Sequence, residues 1–452
     1  MLKSNIPIYF SLLAFLFFSC SAGPEAYKDI DHAVDKNEFD VAVEALRKGQ
    51  ESRRPIYPEK NAISLYMDKG LLEHYAGNYA NSSQDLQEAE RLIQEAFTKS
   101  VTADLASYIA NDNTKDYPGE DFEDIYINVF NALNYYNRGN IDGALVEIRK
   151  LTTSSGKLDM LSRKYENARR SGGGSGAAET LRGFGISAND AMPRGKPVEF
   201  SNSALARYLS ALFYLSDGNI DGARIEFEQL RAAFAANKKV YYHPIPKSVA
   251  DIQTVPAGKA RLNVIGFAGL SPVKEEGQFY VDFPLSISVL CQPVFKLPQF
   301  VKRPSSINRI EVVVEGKNKF DLELLEDMGT VIEETYNARF ADIFYKTFIR
   351  LLTKYAAVAV TANIAWEQGG DLAGLAAAIA GKAAADATEK ADIRMSRYIP
   401  DKAYIGGINL DPGTYNITVH YYSGSRIVAK DERRGVMVRA NAANLIETIS
   451  LK

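Results

Sequence analysis

Two periodicities divide the chain. From about Asp29 to Ala250 the apolar residues recur at intervals of three and four, which predicts amphipathic helices. After Pro256 the interval becomes two, which predicts strands at Arg261–Gly266, Phe279–Val289, Arg309–Val314 and Phe320–Leu325. A second set is predicted at Tyr404–Leu410, Thr414–Tyr421, Arg426–Ala429, Gly435–Arg439 and Asn444–Leu451. Between the two sets the helical interval returns. Val331, Ile332, Tyr336, Phe340, Ile343, Phe344, Phe348, Leu351 and Leu352 form one wide stripe. Ala356–Ala365 follows, then a break at Gly369-Gly370, then Leu372–Ala387, rich in Ala and Gly. The expected fold is α+β: helices from 29 to 250, then a β-rich part from 251 to 452 with a helical insertion at about 326–395.

The helical half repeats itself. Gly139-Asn140-Ile141-Asp142-Gly143-Ala144 and Gly218-Asn219-Ile220-Asp221-Gly222-Ala223 are the same six residues. Gly77-Asn78-Tyr79 and Asn37-Glu38-Phe39 begin two weaker copies. The spacing resembles the tetratricopeptide repeat, a helix–turn–helix unit. Ala132, Tyr135, Gly139, Ile141, Ala144 and Ile148 match one copy; Ala211, Tyr214, Gly218, Ile220, Ala223 and Phe227 match another. A Gly would end each first helix in a left-handed turn, and Ala at the crossing would let the pair approach closely. All the listed apolar positions are therefore expected in the core. Insertions separate the copies, among them a Gly/Ser-rich loop near 171–197 that lacks the Lys-Ser/Thr of a phosphate loop.

The N-terminus sharpens this picture. Lys3 precedes an apolar run from Ile6 to Phe18, and Ser19-Cys20 follows. The run is too short to span a membrane comfortably and reads as an export signal. A small residue before a cysteine resembles the lipobox of bacterial lipoproteins. Residues 1–19 are then the signal peptide, Cys20 carries diacylglycerol and a further acyl chain such as palmitate, and 20–28 is the tether. A formal charge of −3 argues against a nucleic-acid binder, and two cysteines against a disulfide scaffold or a thiolate zinc cluster.

Candidate chemistry is sparse. His32, His74, His243 and His420 share no metal-ligand spacing. Cys291 lies in an apolar run and reads as a small buried hydrophobe. The acidic string Glu120-Asp121-Phe122-Glu123-Asp124 reads as the charged start of a helix. Asp392 and Arg394 read as a structural ion pair, and Tyr415 as packing over the Asp411-Pro412-Gly413 turn. That string, Leu410 to Tyr415, resembles the edge hairpin of small envelope β-sandwiches. For the Ala/Gly-rich helices two readings stand: a hairpin buried against the strands, or one that enters a membrane or a partner's groove. Glu367, Asp371 and Lys382 favour burial. No catalytic, cofactor-binding or metal residue is nominated, no small-molecule substrate is evident, and no enzyme activity is expected.

Several strings together resemble an uncharacterised family of bacterial tetratricopeptide-containing lipoproteins. They are Tyr117-Pro118-Gly119-Glu120-Asp121-Phe122-Glu123, Asn131 to Tyr136, Arg207 to Leu212, Gly269 to Lys274, and Ala391-Asp392-Ile393-Arg394. Ser396 stands where the family carries Trp. The resemblance implies a tetratricopeptide-like helical domain, a β-sandwich-like domain, and a scaffold that binds other envelope proteins. Members are often encoded near lipoproteins that resemble activators of peptidoglycan synthases. The expected location is the cell envelope, at the outer membrane, with the membrane reached through Cys20 and a role in cell-wall or outer-membrane assembly.

Overall fold

The computed structural model describes residues 23–100, 115–153, 155–170, 200, 202–280, 294–315 and 318–452. Cys20, Cys291 and the Gly/Ser-rich loop lie outside them. The fold is α+β, with helices in the N-terminal part and sheets in the C-terminal part.

Among the described residues four helix hairpins form the first part. They are α1 (Lys28–Asp35) with α2 (Phe39–Gln50), α3 (Ala62–Tyr75) with α4 (Tyr79–Ser100), α5 (Asp121–Asn137) with α6 (Ile141–Thr152), and α8 (Ala204–Ser216) with α9 (Ile220–Ala236). An extra helix, α7 (Lys157–Arg170), follows the third hairpin. The four turns share one geometry. Asn37, Gly77, Gly139 and Gly218 hold φ of 58°, 82°, 74° and 76°. In each, the next N–H donates to a carbonyl five residues back, as Asn140 does to Tyr135 (2.9 Å) and Asn219 to Tyr214 (2.8 Å). The repeated Asn then caps the second helix: Asn140 Oδ1 accepts from Gly143 N at 2.8 Å, and Asn219 Oδ1 from Gly222 N at 2.9 Å. Ala132, Ala144, Ile148, Ala211, Ala223 and Phe227 are buried, as expected. Ile220 is not: it is 63% exposed. It is the first residue of α9, where the helix has no preceding turn to pack beneath it.

Among the described residues ten strands make three sheets. The first has the order β10 (Leu445–Ser450), β1 (Ala260–Leu270), β7 (Pro400–Leu410), β6 (Glu323–Asp327), with β1 and β10 parallel. The second has the order β5 (Asn318–Asp321), β4 (Arg309–Val314), β8 (Gly413–Ser423), β9 (Arg426–Val438). The third is a ribbon of β2 (Val273–Tyr280) and β3 (Val294–Val301). Several expectations change here. The run Phe320–Leu325 serves two sheets, because the chain crosses between them at Leu322. The two runs from Arg426 to Arg439 are one strand, bent where Gly435 takes φ 67°. The Asp411-Pro412 turn is no edge hairpin. It carries the chain from β7 of the first sheet to β8, an interior strand of the second.

The first sheet is a middle layer. On β1, Leu262 and Val264 join an apolar cluster with Ile310, Val312, Ile417 and Val419 of the second sheet. Alternate residues Ile265 and Phe267 join the cluster built by the helices, which also takes in Ile405 and Leu445. Both faces are covered, so Ala260–Gly269 is buried throughout, apolar on both sides except at Arg261 and Asn263.

The insertion is α10 (Met328–Thr388), folded back on itself at Gly370 (φ 75°). No side chain fits between its arms at two positions. A Cβ on Gly374 would lie 2.1 Å from Trp366, and one on Gly381 2.8 Å from Val358. The base is buried: Phe344, Phe348, Leu352 and Tyr355 pack with Phe295 and Leu297 of β3. The expectation of a hairpin buried along its length fails beyond this. Leu372 is 84% exposed, Ile379 60% and Val360 59%, with Ile364 and Leu375 exposed beside them. The described residues leave that end uncovered, because the packing of β3 stops at the base.

Candidate functional site

The first helices of the hairpins face the sheets, and polar residues on them converge there. The segment 389–399, which joins α10 to β7, is the centre of this convergence. Asp68 of α3 accepts from Ser396 Oγ, from Arg397 N (2.8 Å) and from Tyr398 N (3.3 Å), while Tyr57 OH donates to its other oxygen. Tyr75 OH donates to the Tyr398 carbonyl at 2.8 Å, and Tyr398 OH donates to Asp31 at 2.9 Å. Arg394 bonds Asp392 and the carbonyls of Lys60 (3.3 Å) and Lys115 (2.8 Å). The expected Asp392–Arg394 pair is thus present, and its role is to hold this strap in the helical array. Ser396 fits because the space beside it is taken by the Asp68 and Glu123 carboxylates.

The acidic string forms the next part. Glu120 and Glu123 make a reciprocal capping box on α5. Glu123 also accepts from Tyr117 OH (2.8 Å) and Ser396 N (2.5 Å). Burial and then the neighbouring Glu120 charge push its carboxyl up to about 7. Glu120 pairs with Lys274 and, at 2.8 Å, with Arg339. Farther along, Glu326 of β6 is fully enclosed and accepts from Tyr126 OH (2.9 Å), Tyr241 OH (2.9 Å), Ser203 Oγ (2.9 Å) and Leu205 N (3.2 Å). Burial raises its carboxyl above the ordinary range despite these donors.

A cavity of about 220 Å³ opens where α3 and α4 meet β9 and β10. Its floor holds His74. Nδ1 lies 2.6 Å from Asn134 Oδ1 and Nε2 lies 2.5 Å from Glu447 Oε1. Asn137 Nδ2 donates to the other Glu447 oxygen at 3.1 Å. Burial lowers the imidazole pKa, but the Glu447 charge and the two hydrogen bonds outweigh it and leave it raised. Both ring nitrogens are already engaged, so His74 has neither free to meet a substrate. Arg433 at the mouth is held by Asp431 (3.1 Å) and by the Glu447 carbonyl (3.3 Å), and Lys430 pairs with Glu432. The lining charges therefore satisfy one another. The cavity is smaller than the roughly 300–1,000 Å³ of most ligand pockets.

The other nominated residues are dispersed. Cys20 and Cys291 lie outside the described residues. Tyr415 OH donates to the Asp411 carbonyl at 2.7 Å, over the turn as expected. His32 is on α1, His243 stands edge-on to Phe234, and His420 is on β8. Among the described residues no group of His, Cys, Asp or Glu could hold a metal ion. The sequence offered one unused signal for this site, a histidine between Leu71-Leu72 and Tyr75 on a mostly buried helix. Its partner Glu447 lies 373 positions away, beyond any local pattern. No protein-family model matches this chain, and neither a curated protein nor a solved structure does.

Proposed function

We propose that this chain is a lipid-anchored protein of the bacterial cell envelope that scaffolds other proteins. The hairpins are read as tetratricopeptide-type repeats, and the two four-stranded sheets with their common apolar residues as a β-sandwich. The four equivalent turns, the Asn caps and the buried Ala crossings support the repeat reading. The lipobox at Ser19-Cys20 and the ordered family-like strings support the anchor and the family resemblance.

One observation carries the scaffold reading. Repeats of this type commonly bind through the face lined by their first helices. Here that face holds the chain's own strap and sheet. The exposed apolar surface lies elsewhere, on the distal arms of α10, between Val360 and Ile379. A grouped set of exposed large apolar residues is a contact surface. It also favours a second reading, a membrane-active hairpin. By length and composition Ile343–Thr388 resembles a membrane span, although Gly370 folds it.

Crosslinking of the native envelope followed by mass spectrometry separates these readings. Protein-to-protein links from Lys354 or Lys382, which flank the hairpin, are expected for a scaffold. Links confined to the chain itself, with the hairpin labelled by a lipid photoprobe, would overturn it. The anchor is tested on its own. Cys20→Ser is expected to move the protein from the membrane pellet to the soluble fraction, and failure of labelled palmitate to enter the native chain would refute it.

A further inference from the structure

The chain beyond Cys20 is short and soon becomes part of the core. Three residues lead from Cys20 to Gly23, which opens a 3-10 turn over Pro24–Tyr27. Three residues span at most about 11 Å. Tyr27 is 7% exposed and Ile30 1%. The Tyr27 ring stands edge-on to Tyr57 at 5.7 Å, and the Arg397 guanidinium lies 4.0 Å from its centre. A body of about 430 residues has a radius of gyration of roughly 22 Å. A leash half that length does not let it turn freely, so the surface beside Gly23 is the one that meets the bilayer.

Hairpin topology says which surface that is. α1 leads away from Gly23 to the turn at Asn37, and α2 leads back. Loop 51–58 and the start of α3 are therefore at the anchored end, with the end of α4 beside them. The turns at Asn37 and Gly77, and the cavity lined by Asn37, Phe39 and Tyr79, are at the other end. Loop 51–58 is fixed to the body. Gln50 exchanges hydrogen bonds with the Tyr57 backbone (2.7 and 3.1 Å), and Ser52 Oγ donates to the Gly49 carbonyl at 2.8 Å. The loop thus presents Arg53 and Arg54, both exposed. Guanidinium groups match phosphate oxygens. α4 has 22 residues against 14 in α3, so it overhangs the same end by about 12 Å. Phe97, 68% exposed, is on the overhang. An apolar ring and guanidinium groups at one end suit the boundary of headgroups and acyl chains.

We infer that the open end of the first two hairpins, with loop 51–58 and the end of α4, lies against a lipid surface, and that their turns and the cavity point away from it. The inference rests on the anchor at Cys20. The short leash holds the contact. Segments 23–29 and 50–60 carry four bases and four acids, so net attraction to an anionic leaflet does not.

The test uses the full-length lipidated chain in vesicles of phosphatidylethanolamine and phosphatidylglycerol that contain a headgroup-nitroxide lipid. Cys291→Ser removes the competing thiol, and the Cys20 thiol is acylated. Arg53→Cys and Glu38→Cys, both at exposed positions at opposite ends of α2, each take a fluorophore. Emission from position 53 is expected to be largely lost to the nitroxide, and emission from position 38 retained. Inserting about 30 Gly/Ser residues after Ala22 lengthens the leash beyond the body's radius. Emission from position 53 should then return while the protein still sediments with the vesicles. Quenching that persists with the long leash would overturn the leash as what holds the face. A chain that takes up palmitate and sediments, yet is quenched equally at 53 and 38 or more at 38, overturns this inference alone. A chain that takes up no palmitate overturns the anchor and the inference together.

Discussion

At the residue scale the buried ionisable groups set the response to pH. Glu123 has a folded pKa near 7, above the ordinary carboxylate value of 4.5. Its contribution is fully present below the unfolded value and is lost as pH rises through the folded one. His74 acts with the same sign: its folded pKa is raised, so the Glu447 pair is complete below the unfolded value of 6.5 and fades as pH climbs through the folded value. Glu90 opposes them only in acid. Burial alone would raise its carboxyl, but Lys157 and Lys150 hold it near 2. The melting temperature is therefore expected to be higher at about pH 5.5 than at about pH 8. Glu123→Gln should make that decline shallower, by an amount corresponding to at most about 3 kcal/mol. Thermal melts across this range check both; an unchanged slope in the variant would remove Glu123 from the account. The acidic string was legible as a helix start because capping is local. Its raised pKa was not, because Ser396 and the enclosing helices come from distant sequence.

At the element scale α10 shows what periodicity can and cannot say. The stripe from Val331 to Leu352 and the break at Gly369-Gly370 were both readable, since each depends on neighbours in sequence. How far the hairpin is buried depends on what lies across from it. The Ala and Gly of the distal arms carry no mark of whether anything lies across from them. The same limit explains Phe320–Leu325, where alternation marks strand conformation but carries no mark of which sheet each residue joins. The arms themselves depend on close contact. Gly374→Val would place atoms inside Trp366, whose ring is 2.1 Å from the site of a Cβ. The expected result is a displaced Trp366 with a red-shifted, more quenchable emission. The base, packed on Phe295 and Leu297, should melt as before. Fluorescence and circular dichroism on the same sample check this, and an unshifted emission would mean that the arms do not close on the tryptophan.

At the scale of the whole molecule the two periodicities suggested two parts, and the core joins them. One apolar cluster runs from Ile30 of α1 through Phe130 and Leu209 to Phe267, Ile405 and Leu451. The polar contacts cross the same boundary: Asp68 to the strap, His74 to Glu447, and four donors from the helical half and the segment after it to Glu326 of β6. Neither part can lose its structure without exposing the other's buried groups. The sheet would lose the cover on Ile265 and Phe267, and the helices would present Tyr126 and Ser203 to an empty face. Calorimetry should therefore show one main transition in which helical and strand signals are lost together. Glu326→Leu is the sharpest perturbation of that unity. It leaves the hydroxyls of Tyr126 and Ser203 without their acceptor, while Tyr241 keeps the Asn202 carbonyl at 3.0 Å; each lost acceptor costs about 1–3 kcal/mol. The transition should then move down, or split with the helical part melting first. A variant that melts like the native chain would mean that the junction contributes nothing to stability, and that the helices and sheets hold together through the apolar cluster alone.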